Sequence, residues 1–588
     1  GTNDYQLITT AEGVHLAAEQ LANHSVLGLD TETTELDPYR GRMRLVQLAA
    51  PDGVRIFDLD QFGENLAEDP GLAPLRDLLA STRPVKIAHN AKFDAKWVKH
   101  RLGVELGAVY DTYLASQIIS AGNSDDRHGL AAVSERYLQT TVDKSEQRSD
   151  WGGALSDSQL RYAALDASVL LPLRSAQMQR LQSDGLDQCA HLEFDCVLPL
   201  TQLELNGFYL DADRWRIQLR WVEKERARIA DELQEMLAEG AVQGSLFGRA
   251  EINLDSHTQL TEVLVRLGIP MPDSTRNWKL QPLAAEYPVI AKLLEYRTVQ
   301  KAQSSYGETM LAEINPKTGR IHADFRQIGA PTGRMACNNP NIQQIPHGVE
   351  YRRCFRAPEG RKLCIADYSQ IELRILAQFS EDRGFLDAFI SGADLHRTTA
   401  AQVFGVKPDE VTSDQRNFAK RLNFGVVYGI GSQRFAMLTG VANSEAEDLL
   451  KKYFNTYRQL DAWLRDASNR AVRDASIRTM SGRLIKFRFD RHDRQAVSGV
   501  QRGGKNAPVQ GTSADILKRA MRILHDRLRG TSGMIVNVVH DEIVVEVDAG
   551  DAEAMAEIMR TAMAEAGQEF VNRVPVNVDV EIADEWVK

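Results

Sequence analysis

Short apolar runs separated by amphipathic stretches open the chain, the pattern of a mixed α/β layer. Val26–Leu29, Leu45–Ala49, Val54–Phe57 and Val85–Ala88 predict strands. From Asp184 to about Tyr306 the pattern turns mainly helical. Its clearest helix is the charged amphipathic run Trp215–Glu239, which is followed by a glycine-punctuated break, GAVQGSLFG. From Ile321 onward strands and helices mix again. Met534–Val539 and Ile543–Val547 flank His540–Asp541–Glu542 and predict a hairpin turning at the acidic pair. No internal repeat or low-complexity linker interrupts the chain, so its domains are expected to pack closely.

The bulk numbers narrow this picture. A chain of 588 residues exceeds what one hydrophobic core supports and predicts roughly three to five domains. Its 43% hydrophobic and 26% charged residues are ordinary for a globular protein. No run of about eighteen apolar residues occurs, so no membrane partner is expected. The first residues, GTNDYQLITT, have neither a signal-peptide nor a transit-peptide pattern. Cys189, Cys196, Cys337, Cys354 and Cys364 form no C-x-x-C pair and are odd in number, which argues against zinc and a disulfide framework and favours a reducing compartment. The formal net charge is −11, yet Asp461–Gly530 holds 16 Lys/Arg against 7 Asp/Glu. A basic stretch inside an acidic protein permits nucleic-acid binding without establishing it.

Chemistry enters with two sets of carboxylates. VLGLDTET puts Asp30 and Glu32 two apart at a strand end, on one face. Like charges held together are costly unless a cation lies between them. HNAKFDAKW adds Asp94 with Asn90, and YAALD adds Tyr162 and Asp166 four apart in a helical pattern. Each piece alone is the common stuff of turns, caps and helices; the ordered set is not. Four such carboxylates can hold two Mg²⁺ ions about 4 Å apart, an arrangement suited to phosphodiester hydrolysis. The order and composition resemble the DEDDy exonucleases, of ribonuclease-H-like fold, over about residues 5–185. That resemblance implies Asp30, Glu32, Asp94 and Asp166 as metal ligands and Tyr162 as the residue that orients the attacking water. Every expected position is filled, so an active 3′→5′ exonuclease is expected.

The second set begins in KLCIADYSQIELRIL, where an apolar strand ends at Asp367 and a helix carries Glu372. NVVHDEIVVEV then places Asp541 and Glu542 between two apolar strands. Acids at a hairpin turn are ordinarily just solvated, but together these stretches are similar to motifs A and C of family A DNA polymerases. The resemblance implies that Asp367 and Asp541, with the backbone carbonyl of Tyr368, hold two Mg²⁺ ions for nucleotidyl transfer. Mn²⁺ is expected to substitute, and Glu542 joins the catalytic set.

A third signal is QRNFAKRLNFGVVYG, where Arg416, Lys420, Phe424 and Tyr428 recur every four residues. On a helix that is a single stripe, cationic at its start and aromatic at its end, which suits a nucleoside triphosphate. It resembles motif B of the same family. The match implies that Arg416 and Lys420 bind phosphates, with Lys420 also a candidate general acid. Phe424 would pack on the incoming nucleotide and Tyr428 line the nascent pair. Glu372 would fill the sugar 2′ position and exclude ribonucleotides. Phe424 lacks a hydroxyl to replace a missing 3′-OH, so poor dideoxynucleotide use is expected. Gln370 and His396 (in LHRTTAAQVFG) join the nucleotide set. Arg334 (in TGRMACNNPNIQQIP), Arg502, Asn506 and Gln510 (in RGGKNAPVQGTSAD), His540, and the thumb residues Arg297 and Lys301 are the expected DNA contacts. Minor-groove readout suits a polymerase, because the acceptors there are nearly common to all base pairs.

The resemblance implies an α/β and α+β multidomain architecture, a ribonuclease-H-like exonuclease domain followed by a right-hand polymerase. The exonuclease takes 1–185, a mainly helical thumb 186–310, the first part of the palm 311–385, fingers with adjoining palm helices 386–530, and the C-terminal palm 531–588. The expected partners are primer-template DNA and dNTPs, the expected state a monomer, and the expected setting the bacterial or phage-infected cytoplasm or an organelle matrix. Segment 241–290 departs from the family pattern and predicts a short thumb; no 5′-nuclease domain is expected in this chain. Two rival readings are a single-subunit RNA polymerase and a non-catalytic subunit of polymerase fold. Glu372, the HDE sequence and the exonuclease stand against the first; Asp367, Asp541, Lys420 and the filled exonuclease positions stand against the second.

Overall fold

The computed structural model describes residues 5–142, 145–238, 251–345 and 350–587. The glycine-punctuated break after the Trp215 run, and Glu239 with it, lie outside the described residues.

The N-terminal part is built on a six-stranded mixed sheet. In spatial order its strands are Tyr5–Ile8, Gly53–Asp58, Met43–Ala50, Val26–Thr33, Val85–Ala88 and Val109–Asp111. Val26–Thr33 lies antiparallel to Met43–Ala50 and parallel to Val85–Ala88. The apolar runs in the sequence are these inner strands; the two outer strands are short and carry no clear alternation. Helices cover both faces, and Leu27, Leu29, Leu48, Phe57 and Ile87 fill the core between them.

One helix, Asp187–Asn206, joins the two halves of the molecule. Its Cys189, Ala190, Phe194 and Val197 belong to the N-terminal core. Its Cys196, Leu200 and Leu203 belong to the larger core of the rest of the chain. The thumb range expected from residue 186 therefore takes in, from its N-cap onward, a helix shared by both cores.

Two helices, Ala212–Ala238 and Pro288–Ser305, pack together and form most of the next segment. Within segment 241–290 the described residues include a helix over His257–Arg266. The second sheet has four antiparallel strands in the order Met534–Val539, Glu542–Asp548, Arg361–Tyr368, Val578–Ala583. Three helices stand near one end of it: Ile371–Ser380, Leu395–Phe404 and Ser413–Val427. The 34-residue helix Arg494–Arg527 runs behind them and packs on the shared helix.

The hairpin differs from expectation in one detail. His540, in the left-handed region at φ 55°, and Asp541 make the turn. Glu542 already belongs to the following strand, where it pairs with Asp367. An extended Glu there gains a ladder hydrogen bond that a turn residue forgoes.

Candidate functional sites

The first carboxylate set converges at one end of the six-stranded sheet. Asp30 and Glu32 sit on strand Val26–Thr33, and Gln47 of the neighbouring strand donates to Glu32 Oε1 at 3.4 Å. Between them, Thr31 Oγ1 donates to Asp94 Oδ1 at 2.7 Å, which ties the strand to helix Ala91–Trp97. Helix Asp157–Ser168 brings Tyr162 and Asp166 from the other side. It starts with a reciprocal cap between Ser156 and Gln159, and the Tyr162 hydroxyl bonds to Asp166.

The electrostatics of this cluster are those of carboxylates awaiting cations. Burial, then Glu32, Asp94 and Asp166, push Asp30 well above the ordinary carboxylate range. Burial, then Asp166 and Asp94, push Glu32 up to about 9. Asp94 is pushed up to about 7, mostly by burial. Among the described residues no three His, Cys, Asp or Glu side chains form a ready-made metal cage. An open, repulsive donor set still fits Mg²⁺, which keeps several waters and is commonly held by one or two carboxylates together with substrate phosphates. Asp30, Glu32 and Asp166 face a cavity of about 580 Å³ that Leu36, Asn90, Phe93 and Arg148 also line; Asp94 is buried behind it.

Sequence reasoning missed two residues here. Asp111 accepts the backbone N–H groups of Asn90 at 3.0 Å and Ala91 at 2.9 Å, and so anchors the start of the Asp94 helix. It also caps helix Thr112–Ser120, and this double role joins segments that are distant in sequence. Arg148 lies in a turn that carries no pattern.

At the second site, Asp367 is the penultimate residue of strand Arg361–Tyr368, and the Tyr368 N–H donates to the Asp541 carbonyl at 3.3 Å. Burial, then the charge of Asp367, pushes Asp541 up to about 6. Glu542 stands opposite Asp367 in register; its Oε1 accepts the buried Trp586 indole N–H at 2.8 Å. The Arg352 guanidinium covers that same indole ring at 4.4 Å. The open Asp367–Asp541 pair has the same hard-oxygen character as the first set and fits Mg²⁺ on the same grounds.

The cationic–aromatic stripe occupies helix Ser413–Val427, whose capping box joins Thr412 and Gln415. Arg416 Nε donates to Asp394 Oδ2 at 2.6 Å, Lys420 is exposed, and Phe424 lies 5.7 Å from the His396 ring. Tyr428 falls at the C-cap and bonds to Glu372. Arg334 Nη2 closes the group by donating to Glu372 Oε1 at 3.0 Å. Glu372 is pushed up by burial, and Arg334 pulls against that shift. Gln370, at φ 52°, contacts His396 across 3.1 Å.

Arg334 is held from behind. Gly333, at φ 87°, presses so closely on Arg483 that a Cβ there would meet the guanidinium carbon at 2.5 Å. Lys518 Nζ donates to the Gly333 carbonyl at 2.5 Å. Lys518 and Arg483 share the buried carboxylate of Glu193, and Arg483 also pairs with Asp515 at 2.6 Å. No motif signalled this four-charge cluster, because its members are up to 325 residues apart.

Arg502, Asn506 and Gln510 fall four apart along helix Arg494–Arg527, hence on one face. Asn506 Oδ1 is buried without a hydrogen-bond partner among the described residues. His540 is exposed at the hairpin turn and Lys301 is exposed on helix Pro288–Ser305. Arg297, in contrast, is folded inward. It donates to Asn277 Oδ1 at 3.0 Å and Thr275 Oγ1 at 3.3 Å and ties helix Pro288–Ser305 to the preceding segment.

Two catalytic-type centres, each with paired carboxylates and set in its own domain, define a nucleic-acid polymerase domain joined behind a nuclease domain. Residues 221–588 match the model of DNA polymerase family A, and residues 5–182 match that of the 3′-5′ exonuclease. The chain belongs to DNA polymerase family A. It is 33% identical to a DNA polymerase I of Aquifex aeolicus, with the whole of both chains covered. It is 32% identical to DNA polymerase I of Pseudomonas aeruginosa over 99% of this chain, of which it spans 66%. It spans 62% of a Chloroflexus aurantiacus DNA polymerase I at 31% identity. The polymerase domain of Pol1 from M. smegmatis, solved with DNA primer-template and dNTP, has a similar structure. It is 27% identical with a TM-score of 0.84, and 99% of each chain is covered. Among the described residues no helix is long and apolar enough to cross a membrane.

Proposed function

We propose that this chain extends a DNA primer on a template from dNTPs and removes mispaired 3′ ends with its exonuclease domain. The observation that carries this reading is the joint presence of both complete residue sets, each assembled by tertiary contacts into one site. Asp367 and Asp541, with the Tyr368 carbonyl, are the groups that would hold Mg²⁺ at the polymerase site. Asp30, Glu32, Asp94 and Asp166 would do so at the exonuclease site. When bound, such ions supply charge neutralisation for a phosphoryl transition state and a lowered pKa for the attacking oxygen.

The remaining residues orient and select. Arg416 and Lys420 present cationic groups to the triphosphate, and Phe424 offers a ring face to the nucleotide. Arg334, Glu372 and Tyr428 close off the sugar's 2′ side, so a ribose hydroxyl meets an occupied, part-buried carboxylate. Arg502, Asn506 and Gln510 face the duplex from the long helix. Tyr162, hydrogen-bonded to Asp166, orients the hydrolytic water. The exonuclease cavity shares Asn90 and Tyr113 with a second cavity, which shares Gln117, Arg326 and Ile328 with a third that Ala330, Pro331 and Arg483 also line. This trough supports passage of a frayed strand from the Arg334 region to the exonuclease carboxylates. Primer-template DNA and dNTPs are thus the proposed partners, met by a monomer in the cytoplasm.

Primer extension with matched and mismatched 3′ ends, with Mg²⁺ and with or without dNTPs, reads both activities at once. Asp541→Ala is expected to abolish extension and keep 3′→5′ digestion; Asp30→Ala with Glu32→Ala is expected to do the reverse. Loss of both activities in both variants would rule out two separate sites.

A further inference from the structure

Behind the cationic stripe lies a buried relay of hydrogen bonds that no motif announces. Asn423, one residue before Phe424, is fully enclosed at 0% exposure. Its Oδ1 lies 3.0 Å from the Tyr453 hydroxyl, and its Nδ2 lies 2.9 Å from His396 Nδ1 and 3.2 Å from Thr399 Oγ1. Thr399 Oγ1 in turn lies 2.8 Å from the Tyr457 hydroxyl. Burial pushes the ionisation of both phenols up, Tyr457 to about 12, so both remain O–H groups.

The direction of the relay follows from counting donors. Asn423 is the Tyr453 hydroxyl's one hydrogen-bond partner among the described residues, so the phenol donates to Oδ1. That fixes the amide with its NH₂ toward His396. Facing a donor, His396 Nδ1 must accept, and a neutral imidazole then carries its proton on Nε2. The Nε2 edge lies 3.1 Å from the Gln370 amide nitrogen; an Nε2–H requires that amide to turn its oxygen toward the ring and accept.

We propose that Asn423 is a positioning residue that locks His396 as its Nε2–H tautomer, so that a neutral N–H donor is offered to an oxygen of the incoming triphosphate. The inference rests on the reading of His396 as a nucleotide contact. The charged groups facing His396 are Asp394 at the start of its own helix and Arg416 and Lys420 on the neighbouring one. Burial and those two cations hold the imidazole well below its usual range, at about 4. A neutral donor binds a phosphate oxygen without repelling Arg416 or Lys420. The opposite tautomer would aim a lone pair at an anion. The amide of Asn423 makes that difference without touching the nucleotide.

The whole chain, labelled with ¹⁵N-histidine, gives one test, with the His396 resonances assigned by difference from His396→Gln. At about pH 7.5, wild type is expected to show a protonated Nε2 and a bare Nδ1. Asn423→Asp supplies an acceptor instead, so Nδ1 is expected to gain the proton and imidazolium to persist to higher pH. In steady-state extension, Asn423→Leu is expected to raise the dNTP KM about tenfold, the scale of one lost hydrogen bond to a charged group, with a smaller change in kcat. In Asn423→Asp the KM is expected to vary between about pH 6 and 8, unlike wild type. In the His396→Gln background, Asn423→Leu is expected to add nothing to KM. An Nδ1–H tautomer in wild type overturns the proposal, and so does an equal KM effect of Asn423→Leu with and without His396. Should Asn423→Leu fail to fold, the wild-type tautomer and the Asn423→Asp pH profile decide alone.

Discussion

Glu32 and Asp94 carry a repulsion that a proton or a cation relieves. Their ionisations lie at about 9 and about 7, against ordinary values of 4.5 and 3.8. Acids with raised folded-state values hold more protons folded than unfolded, so stability falls as pH rises across those windows. Metal-free protein is therefore expected to lose stability from about pH 4 to 9, and Mg²⁺ to raise the Tm more at about pH 9 than at about pH 6. Asp30→Ala with Glu32→Ala is expected to remove that difference. Melting curves in EDTA and in Mg²⁺ check it, and an equal Mg²⁺ shift at both pH values would count against the carboxylates as the cation site. At the polymerase site a single ring, Phe424, is expected to decide terminator use. Phe424→Tyr supplies the hydroxyl that a dideoxynucleotide lacks, and competition between ddNTP and dNTP is expected to show increased terminator incorporation. No gain would sink that role for Phe424.

At the level of elements, exonuclease geometry depends on how closely helix Asp157–Ser168 lies against strand Val26–Thr33. The contact is made at Gly28, where a Cβ would meet the Ala167 carbonyl oxygen at 2.2 Å. Ala167 follows Asp166, and Gly28 precedes Asp30 by two residues. Gly28→Ala must therefore push the Tyr162–Asp166 pair away from Asp30 and Glu32. Displacement of order 1 Å is expected to cost about a hundredfold in digestion of a single-stranded oligonucleotide, with primer extension preserved. Undiminished digestion by this variant would mean that the helix is not held at this spacing. Glycine here serves close packing of backbone on backbone, not an unusual φ.

At the scale of the whole molecule, one carboxylate ties the Asp94 helix to the polymerase domain, among several contacts between the two domains. Glu204, at 3% exposure on the shared helix, pairs with Lys92 at 2.5 Å and Lys96 at 2.9 Å. It also accepts the Phe325 backbone N–H at 2.9 Å. The two lysines flank Asp94 on its helix, and Phe325 belongs to the strand Asp324–Arg326 of the polymerase half. Glu204→Ala leaves both cations without their main partner in a part-buried place. The expected cost is about 3 kcal/mol, typical of breaking a buried ion pair, with digestion reduced more than extension. Chemical denaturation together with the two activity assays measures it. Equal loss of both activities would point to general unfolding and away from a clamp on the Asp94 helix.

Much of the fold, and the segments whose carboxylates the structure brings together, were legible in the chain itself. Local chemistry writes the inner strands, the Asp367 strand and its helix, the stripe from Arg416 to Tyr428 and the spacing of Asp30 with Glu32, because period and side-chain type act over a few residues. Tertiary structure alone decided the rest. It set the parallel edge strands, whose partners come from distant segments, and the placement of Glu542 in a strand beside Trp586. It folded Arg297 back onto the thumb. It also assembled the Glu193–Arg483–Asp515–Lys518 cluster, the Glu204 clamp and the Asn423 relay. Each of these joins charges or amides hundreds or tens of residues apart whose pairing is worth making only after burial has removed the water that would otherwise satisfy them.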